Sequence, residues 1–364
     1  MSKRAKTASS KDWKTRWIKK ETGALLALAL IVIVFNAINS TFISPGIAGT
    51  VLTPSAELGI VTIGATLLMI AGEFDLSVGA VFAMAGILSA FVTRGALTLR
   101  DPDTLEIVRH GITENPALAA TLGLLVALAF ATSAGLLNGV LTLVTRIPSF
   151  IVTLGTMLFW RGMALFIAGG RAVSITRPEY QGNWFLQFVG DKRVDIPLPF
   201  TDMLLIKNVG VGLFWFLLLV FIFWYVLMKT RAGNWIFATG GKKEAAMALG
   251  VPVNRVKLLM FSLTGLLAGL AGSIEFARAH SMSPIEGTGL ELEAIAASVI
   301  GGAELTGGVG TVIGGMLGAL TLRTIRIGLP AIGLDSKLYQ MVIGVILVIA
   351  VVVNHKLGAI SERR

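Results

Sequence analysis

The chain has 364 residues, of which 54% are hydrophobic and only 14% charged, with a mean hydropathy of +0.79. A soluble domain ordinarily carries about 25% charged residues, so this composition excludes a water-soluble globule and makes the bilayer the natural solvent. The net charge of +10 does not mark a nucleic-acid binder, because the basic residues gather in the tails and one loop and no helix carries a basic face.

Cys is absent, which removes disulfides, Cys-based zinc sites and thiol nucleophiles. His110, His280 and His355 lie far apart in sequence and suggest no metal site. Gly is abundant, at 42 residues, as expected where helix backbones approach closely in a membrane.

Residues 1–21 hold eight basic and two acidic residues, and no small-residue cleavage site follows them. They read as a retained basic tail, with Trp13 and Trp17 four apart in a short helix suited to an anionic lipid surface. Ten apolar segments follow, at about 22–40, 51–71, 76–93, 119–143, 149–168, 210–229, 256–275, 288–302, 309–327 and 338–354. Each is near the ~20 residues that a spanning helix needs.

The fold class is therefore all-α: a polytopic membrane protein of about ten transmembrane helices, some broken or re-entrant. It forms one domain, with a tail at 1–21, a membrane region at 22–354 and a second tail at 355–364. Loops 94–118 and 171–209 are expected outside the cell, and loop 230–255 and both termini inside. The inner segments carry 18 of the 31 basic residues, while the two outer loops are nearly balanced, in line with the positive-inside rule. Loop 171–209, with Pro178, Pro197, Pro199, Trp184, Phe185 and Phe188, is too apolar for a linker and predicts a short helix or strand pair.

Four stretches carry candidate functional residues. In AGEFDLSVGAVFAMAG (71–86), Glu73 and Asp75 sit between two apolar runs with almost no loop. A carboxylate at membrane depth is costly and suggests function, yet Asp75 also reads as an N-cap of the third helix. In residues 135–165, Asn138 and Arg161 lie inside apolar spans, where interhelical hydrogen bonding and snorkelling are the plain alternatives to a pathway role.

The loop RAGNWIFATGGKKEAAMALGVPVNRVK (231–257) contains one helix candidate, 242–249, stopped by Gly250. Ala245, Ala248 and Leu249 share one small, apolar face of it, suited to a shallow groove on another protein or to the bilayer surface. In residues 291–320, Glu291 and Glu293 enter a short span, and Gly310, Gly314 and Gly318 recur every four residues as a tight packing face. The Gly301–Gly302 and Gly307–Gly308 pairs permit backbone breaks beside a cavity.

The chain has no phosphate-binding loop: its Gly–Lys step at 241–242 has Ile236 where the first Gly would stand. No nucleophile elbow or zinc-protease helix motif is present either, so the sequence offers no support for an enzyme.

Four motifs resemble the permease subunits of bacterial ribose- and xylose-type ABC importers. They are DLSVG at 75–79, the N-G and R-I-P-x-F-I-x-T-L-G-T-M run at 138–157, GG-x-x-x-A-A-x-x-x-G-V at 240–251, and A-I-A-A-x-V-I-GG with L-x-GG-x-G-T at 294–311. They occur in order along nearly the whole chain. One departure is Glu73, where the family more often has a neutral residue.

The resemblance implies a multi-pass protein of the bacterial inner membrane that imports a monosaccharide or related polar solute by alternating access. Its implied partners are ATPase subunits or one two-cassette ATPase, a second permease copy or paralogue, and a periplasmic or lipid-anchored sugar-binding protein. The chain itself would bind no cofactor; ATP and Mg would sit on the ATPases. A coupling helix would comprise Lys242, Lys243, Glu244, Ala245, Ala246, Ala248 and Leu249, closed by Gly250. The pathway candidates are Glu73, Asp75, Asn138, Arg161 and Glu293. An ion-coupled secondary transporter is the alternative, with Glu57, Glu73, Asp75 and Glu275 as conceivable relay members.

Overall fold

The computed structural model describes residues 5–96, 99–100, 106–175, 182–198 and 203–362. Twelve helices dominate them, here α1 (Ala5–Ile38), α2 (Pro45–Ile70), α3 (Val78–Ala96), α4 (Pro116–Thr145), α5 (Ser149–Ile167), α6 (Gly212–Lys229), α7 (Arg231–Gly241), α8 (Lys243–Ala248), α9 (Val253–Ala279), α10 (Leu290–Ile300), α11 (Val312–Ala331) and α12 (Leu338–Glu362). Eight of these are long and apolar enough to cross a membrane: α1 to α6, α9 and α11. The apolar part of α12 is shorter, and α10 has eleven residues. At 1.5 Å per residue α10 is about 16 Å long, roughly half the hydrocarbon thickness.

Local chemistry sets the helix ends. Ser44 caps α2 and Asn115 caps α4, each followed by Pro at the first helical position, where its missing N–H is not needed. Thr311 caps α11 through the backbone N–H of Gly314, at 2.7 Å. The first helix begins at Ala5, so the basic tail continues into the first span rather than forming a separate surface helix. Gly310 lies in the loop before α11, so the Gly310–Gly314–Gly318 helix face expected from the sequence is reduced to Gly314 and Gly318. Gly310 still packs, against Ile70 and Ala303.

The core is built around α2, α3, α4, α9, α10 and α11, whose buried faces carry mostly Ala, Val, Ile, Leu and Phe. α2 is the most enclosed span. Helices α1, α5 and α6 lie outside, with Leu26, Leu30, Leu158, Phe159 and Phe221 exposed as an apolar outer belt. Such a belt is far more apolar surface than a soluble monomer tolerates.

Small residues let the core helices touch. Side chains on Gly135 and Gly265 would each strike the backbone of the other's helix, α9 and α4 respectively. Gly314 lies against the Gly301 carbonyl, and Gly318 against the Ala297 carbonyl.

Among the described residues six short strands pair into three antiparallel ribbons: β1 (Leu99–Arg100) with β2 (Ile107–Arg109), β3 (Val173–Ser174) with β6 (Ser281–Met282), and β4 (Arg193–Pro197) with β5 (Leu204–Gly210). A helical turn over 184–191 precedes β4, so loop 171–209 contains both a short helix and a strand pair. β5 packs on the start of α2, where the Thr53 hydroxyl accepts from Gly210 N at 3.0 Å. The Ile70 carbonyl, at the other end of α2, accepts from Gly308 N at 2.8 Å and lies beside Gly240. The β4–β5 ribbon and the α7–α8 segment thus sit at opposite ends of a helix about 39 Å long.

Candidate translocation cavity and coupling surface

The α7–α8 segment is seated on backbone. A side chain at Gly240 would overlap the Ile70 carbonyl and crowd Gly308 N. Gly307 and Gly308, both at positive φ, bring the α10–α11 loop onto the same spot. α8 follows after a break at Lys242 and ends in a Schellman motif: Gly250, at φ 80°, donates to the Met247 carbonyl and Val251 N donates to that of Ala246. Ala246 points inward and is 3% exposed, while Leu249 is 84% exposed. Ala245, Ala248 and Leu249 lie open beside one another, with exposed Met247 adjoining.

On the same side of the bundle, the link between α2 and α3 is held by side chains. Asp75 Oδ1 accepts from the backbone N of Ser77 at 2.8 Å and from its hydroxyl at 2.6 Å. Asn138, fully buried on α4, donates to both Asp75 carboxylate oxygens at 3.2 Å and to Ser77 Oγ at 2.8 Å; its own Oδ1 accepts from Thr156. Ser149 and Thr153, on α5, accept from the backbone N of Phe74 and of Leu76. These hydroxyls satisfy irregular backbone N–H groups that would otherwise be left unpaired inside the protein. Sequence reasoning missed them, although Ser149, Thr153 and Thr156 are spaced as one helix face. Glu73 pairs with Lys257 at the start of α9.

A cavity of about 440 Å³ opens between α2, α3, α9, α10, α11 and the linker 280–289. Glu57, at the midpoint of α2, contributes to its wall. Arg278 on α9 donates to Glu57 at 2.8 Å and pairs also with Glu275. Arg323 and Arg326 on α11 both reach Glu293 on α10, at 3.1 and 3.2 Å. Glu286 lines the cavity from the linker. Arg161 on α5 donates to the carbonyls of Pro284 and Glu286, at 2.8 and 2.6 Å, and so fastens that linker.

Of the five pathway candidates read from sequence, Glu293 lines this cavity and Arg161 holds its linker. Glu73, Asp75 and Asn138 gather instead at the α2–α3 link. Glu57 and Glu275 share Arg278 in the cavity and have no bonded connection to Glu73 or Asp75. No group of three or more metal-ligating side chains occurs among the described residues.

A charged cavity among membrane-spanning helices, with an exposed short helix at one end of the bundle, is an arrangement suited to a transport subunit. The chain belongs to the family described as the branched-chain amino acid transport system / permease component, which matches residues 47–351. It is 32% identical over 352 residues to the ribose import permease protein RbsC of Escherichia coli K12, covering 96% of this chain and 98% of that one. It is 34% identical over 358 residues to the probable ABC transporter permease protein YphD of the same organism, covering 98% and 96%. Identity to the xylose/arabinose import permease protein XylH of Sulfolobus acidocaldarius is 30% over 331 residues, covering 91% and 83%. No solved structure matches the chain significantly. The protein is a multi-pass transport subunit, not an enzyme.

Proposed function

We propose that this chain is the permease subunit of an ATP-binding-cassette importer for a monosaccharide or related small polar solute. Partner ATPases, carrying ATP and Mg, drive alternating access, and a soluble binding protein delivers the solute. Two permeases, identical or paralogous, stand side by side. The similarity to ribose and xylose/arabinose import permeases over nearly the whole chain supports the solute class.

The observation that carries the coupling role is α8. Its Ala245, Ala248 and Leu249 face is open, and the glycine seat behind it ties α7 directly to the end of α2. A push on α8 therefore reaches the helix that carries Glu57 in the cavity wall, with no flexible side chain between, as rigid-body coupling requires. The α8 end is cytoplasmic, because ATP is there and the basic residues concentrate there.

Ala245→Trp tests this reading. The variant is expected to reach the membrane normally while ATPase co-purification and solute uptake each fall at least tenfold. A helix that merely rested on lipid would accept Trp, which favours the bilayer interface. Retained co-purification with solute-stimulated ATP hydrolysis would remove the coupling assignment.

A further inference from the structure

Helices α6 and α7 meet at an elbow on the outside of the bundle. Exposed residues of α6 share one face in the order Phe214, Leu218, Phe221, Tyr225 and Lys229, three or four apart. Apolar groups give way to a phenol and then to an ammonium, the order in which a bilayer passes from hydrocarbon to headgroups. Thr230 then breaks the helix in an extended conformation, at φ −118° and ψ 164°, and caps α7. The first turn of α7 folds against the end of α6, where a side chain at Gly233 would strike the Leu227 and Val226 carbonyls. Gly233 and Ile236 turn inward, while Arg231, Asn234 and Trp235 stay exposed.

Lys229 and Arg231 flank this break. Neither side chain has an ion pair or hydrogen bond among the described residues, and neither helix carries an acidic residue. Trp235 lies one turn beyond Arg231 on the same face and is 41% exposed. An indole, apolar in body with one N–H to donate, suits the headgroup level of a bilayer. The positive dipole end of α7 falls at the same point.

Two unpaired cations at the end of an apolar helix face select an anionic phosphodiester. The guanidinium fork takes two of its oxygens and the ammonium adds a point charge. A zwitterionic headgroup brings its own ammonium to the same phosphate and so competes poorly. The apolar outer belt runs unbroken through Phe221 and Tyr225 to the elbow, whereas the face proposed for the ATPase lies on α8, past the other end of α7. The elbow is also placed to act on that end. At 1.5 Å per residue α7 is about 16 Å long. Its first turn rests on α6 at the edge of the bundle, and its Gly240 rests on the Ile70 carbonyl of α2 in the core.

We propose that the α6–α7 elbow binds the headgroup of an anionic phospholipid through Lys229, Arg231 and Trp235, and that this lipid fixes the outer end of α7 for coupling. The binding stands on the elbow alone; the role in coupling rests on the importer reading. Each cation near an anionic surface contributes about fivefold to affinity.

The test titrates the full-length chain with phosphatidylglycerol and with phosphatidylcholine, counting retained lipids by native mass spectrometry. Phosphatidylglycerol is expected to bind at least tenfold more tightly. Lys229→Gln with Arg231→Gln removes that preference at unchanged melting temperature. Lys192→Gln with Lys207→Gln, which takes the same charge from exposed positions at the opposite end of the bundle, keeps it. A spin label at Asn234→Cys is expected to report lipid contact both without and with the ATPases bound. In nanodiscs holding the complete system, phosphatidylglycerol raises solute-stimulated ATP hydrolysis at least threefold for the wild type and not for the elbow variant. Undiminished preference in the elbow variant would overturn the site. A label that loses lipid contact when the ATPases bind would make the elbow a protein interface and overturn the lipid as its occupant. Hydrolysis indifferent to phosphatidylglycerol, with binding intact, would overturn the role in coupling. No uptake in any lipid, with phosphatidylglycerol still held at the elbow, would overturn the importer reading and leave the lipid site standing.

Discussion

Glu73 and Lys257 are 184 positions apart and both nearly buried, so each charge depends on the other. Removing one partner of a buried pair costs about 3–5 kcal/mol, because the remaining charge has lost its compensation, whereas replacing both with neutral groups is far milder. Glu73→Gln is expected to lower the unfolding temperature in detergent markedly, and Glu73→Gln with Lys257→Met to restore most of it. An unshifted melting curve for the single variant would show that the pair holds nothing. Asp75 reads as a cap in the sequence, where a carboxylate precedes a helix start. Its bonds go instead to Ser77, the residue just before α3, and not to the first-turn N–H groups of that helix, while Asn138 makes the interhelical bond to Asp75. The Ser149, Thr153 and Thr156 contributions were hidden, since hydroxyls in apolar helices most often bond their own backbone four residues back, as Thr153 also does.

Helices α10 and α11 meet through backbone. The Gly301–Gly314 and Ala297–Gly318 contacts leave no volume for a methyl group. Overpacking of this kind costs about 1–3 kcal/mol, and more where the neighbour is backbone that cannot rotate aside. Gly314→Ala is expected to reduce folded yield and melting temperature, while Gly344→Ala on α12, with open space around it, leaves both unchanged. Equal behaviour of the two variants would mean that α11 can shift to accommodate the methyl. The four-residue spacing announced this face, but not that the helix would start only at Val312 and leave Gly310 in the loop, because the Thr311 cap competes with helix continuation.

At the scale of the whole molecule, the two ends of the bundle differ. One carries the β4–β5 ribbon, the other α7 and α8. Because the chain has no Cys, single thiols report sidedness cleanly. In intact cells a membrane-impermeant thiol reagent is expected to label Lys207→Cys and to spare Lys243→Cys until the membrane is opened. Labelling at 243 with protection at 207 would reverse the orientation.

Some properties of this protein follow from the order of its residues alone. Apolar run length determines that it is a multi-pass membrane protein, because backbone in hydrocarbon must close its own hydrogen bonds. Of the ten runs expected to span, eight are long enough helices among the described residues, and the α10 run is not. The gathering of basic residues in the tails and one loop supports the proposed orientation, which the thiol-labelling experiment tests. Gly250 and the alanines before it mark α8 as a short helix with a small face, since each rests on neighbours only a turn away. The cavity was not legible. Glu57, Glu275, Arg278, Glu286, Glu293, Arg323 and Arg326 come from four helices and a linker. Charge complementarity among them depends on which helix faces turn inward, and only the packing of small residues between α2, α9, α10 and α11 decides that.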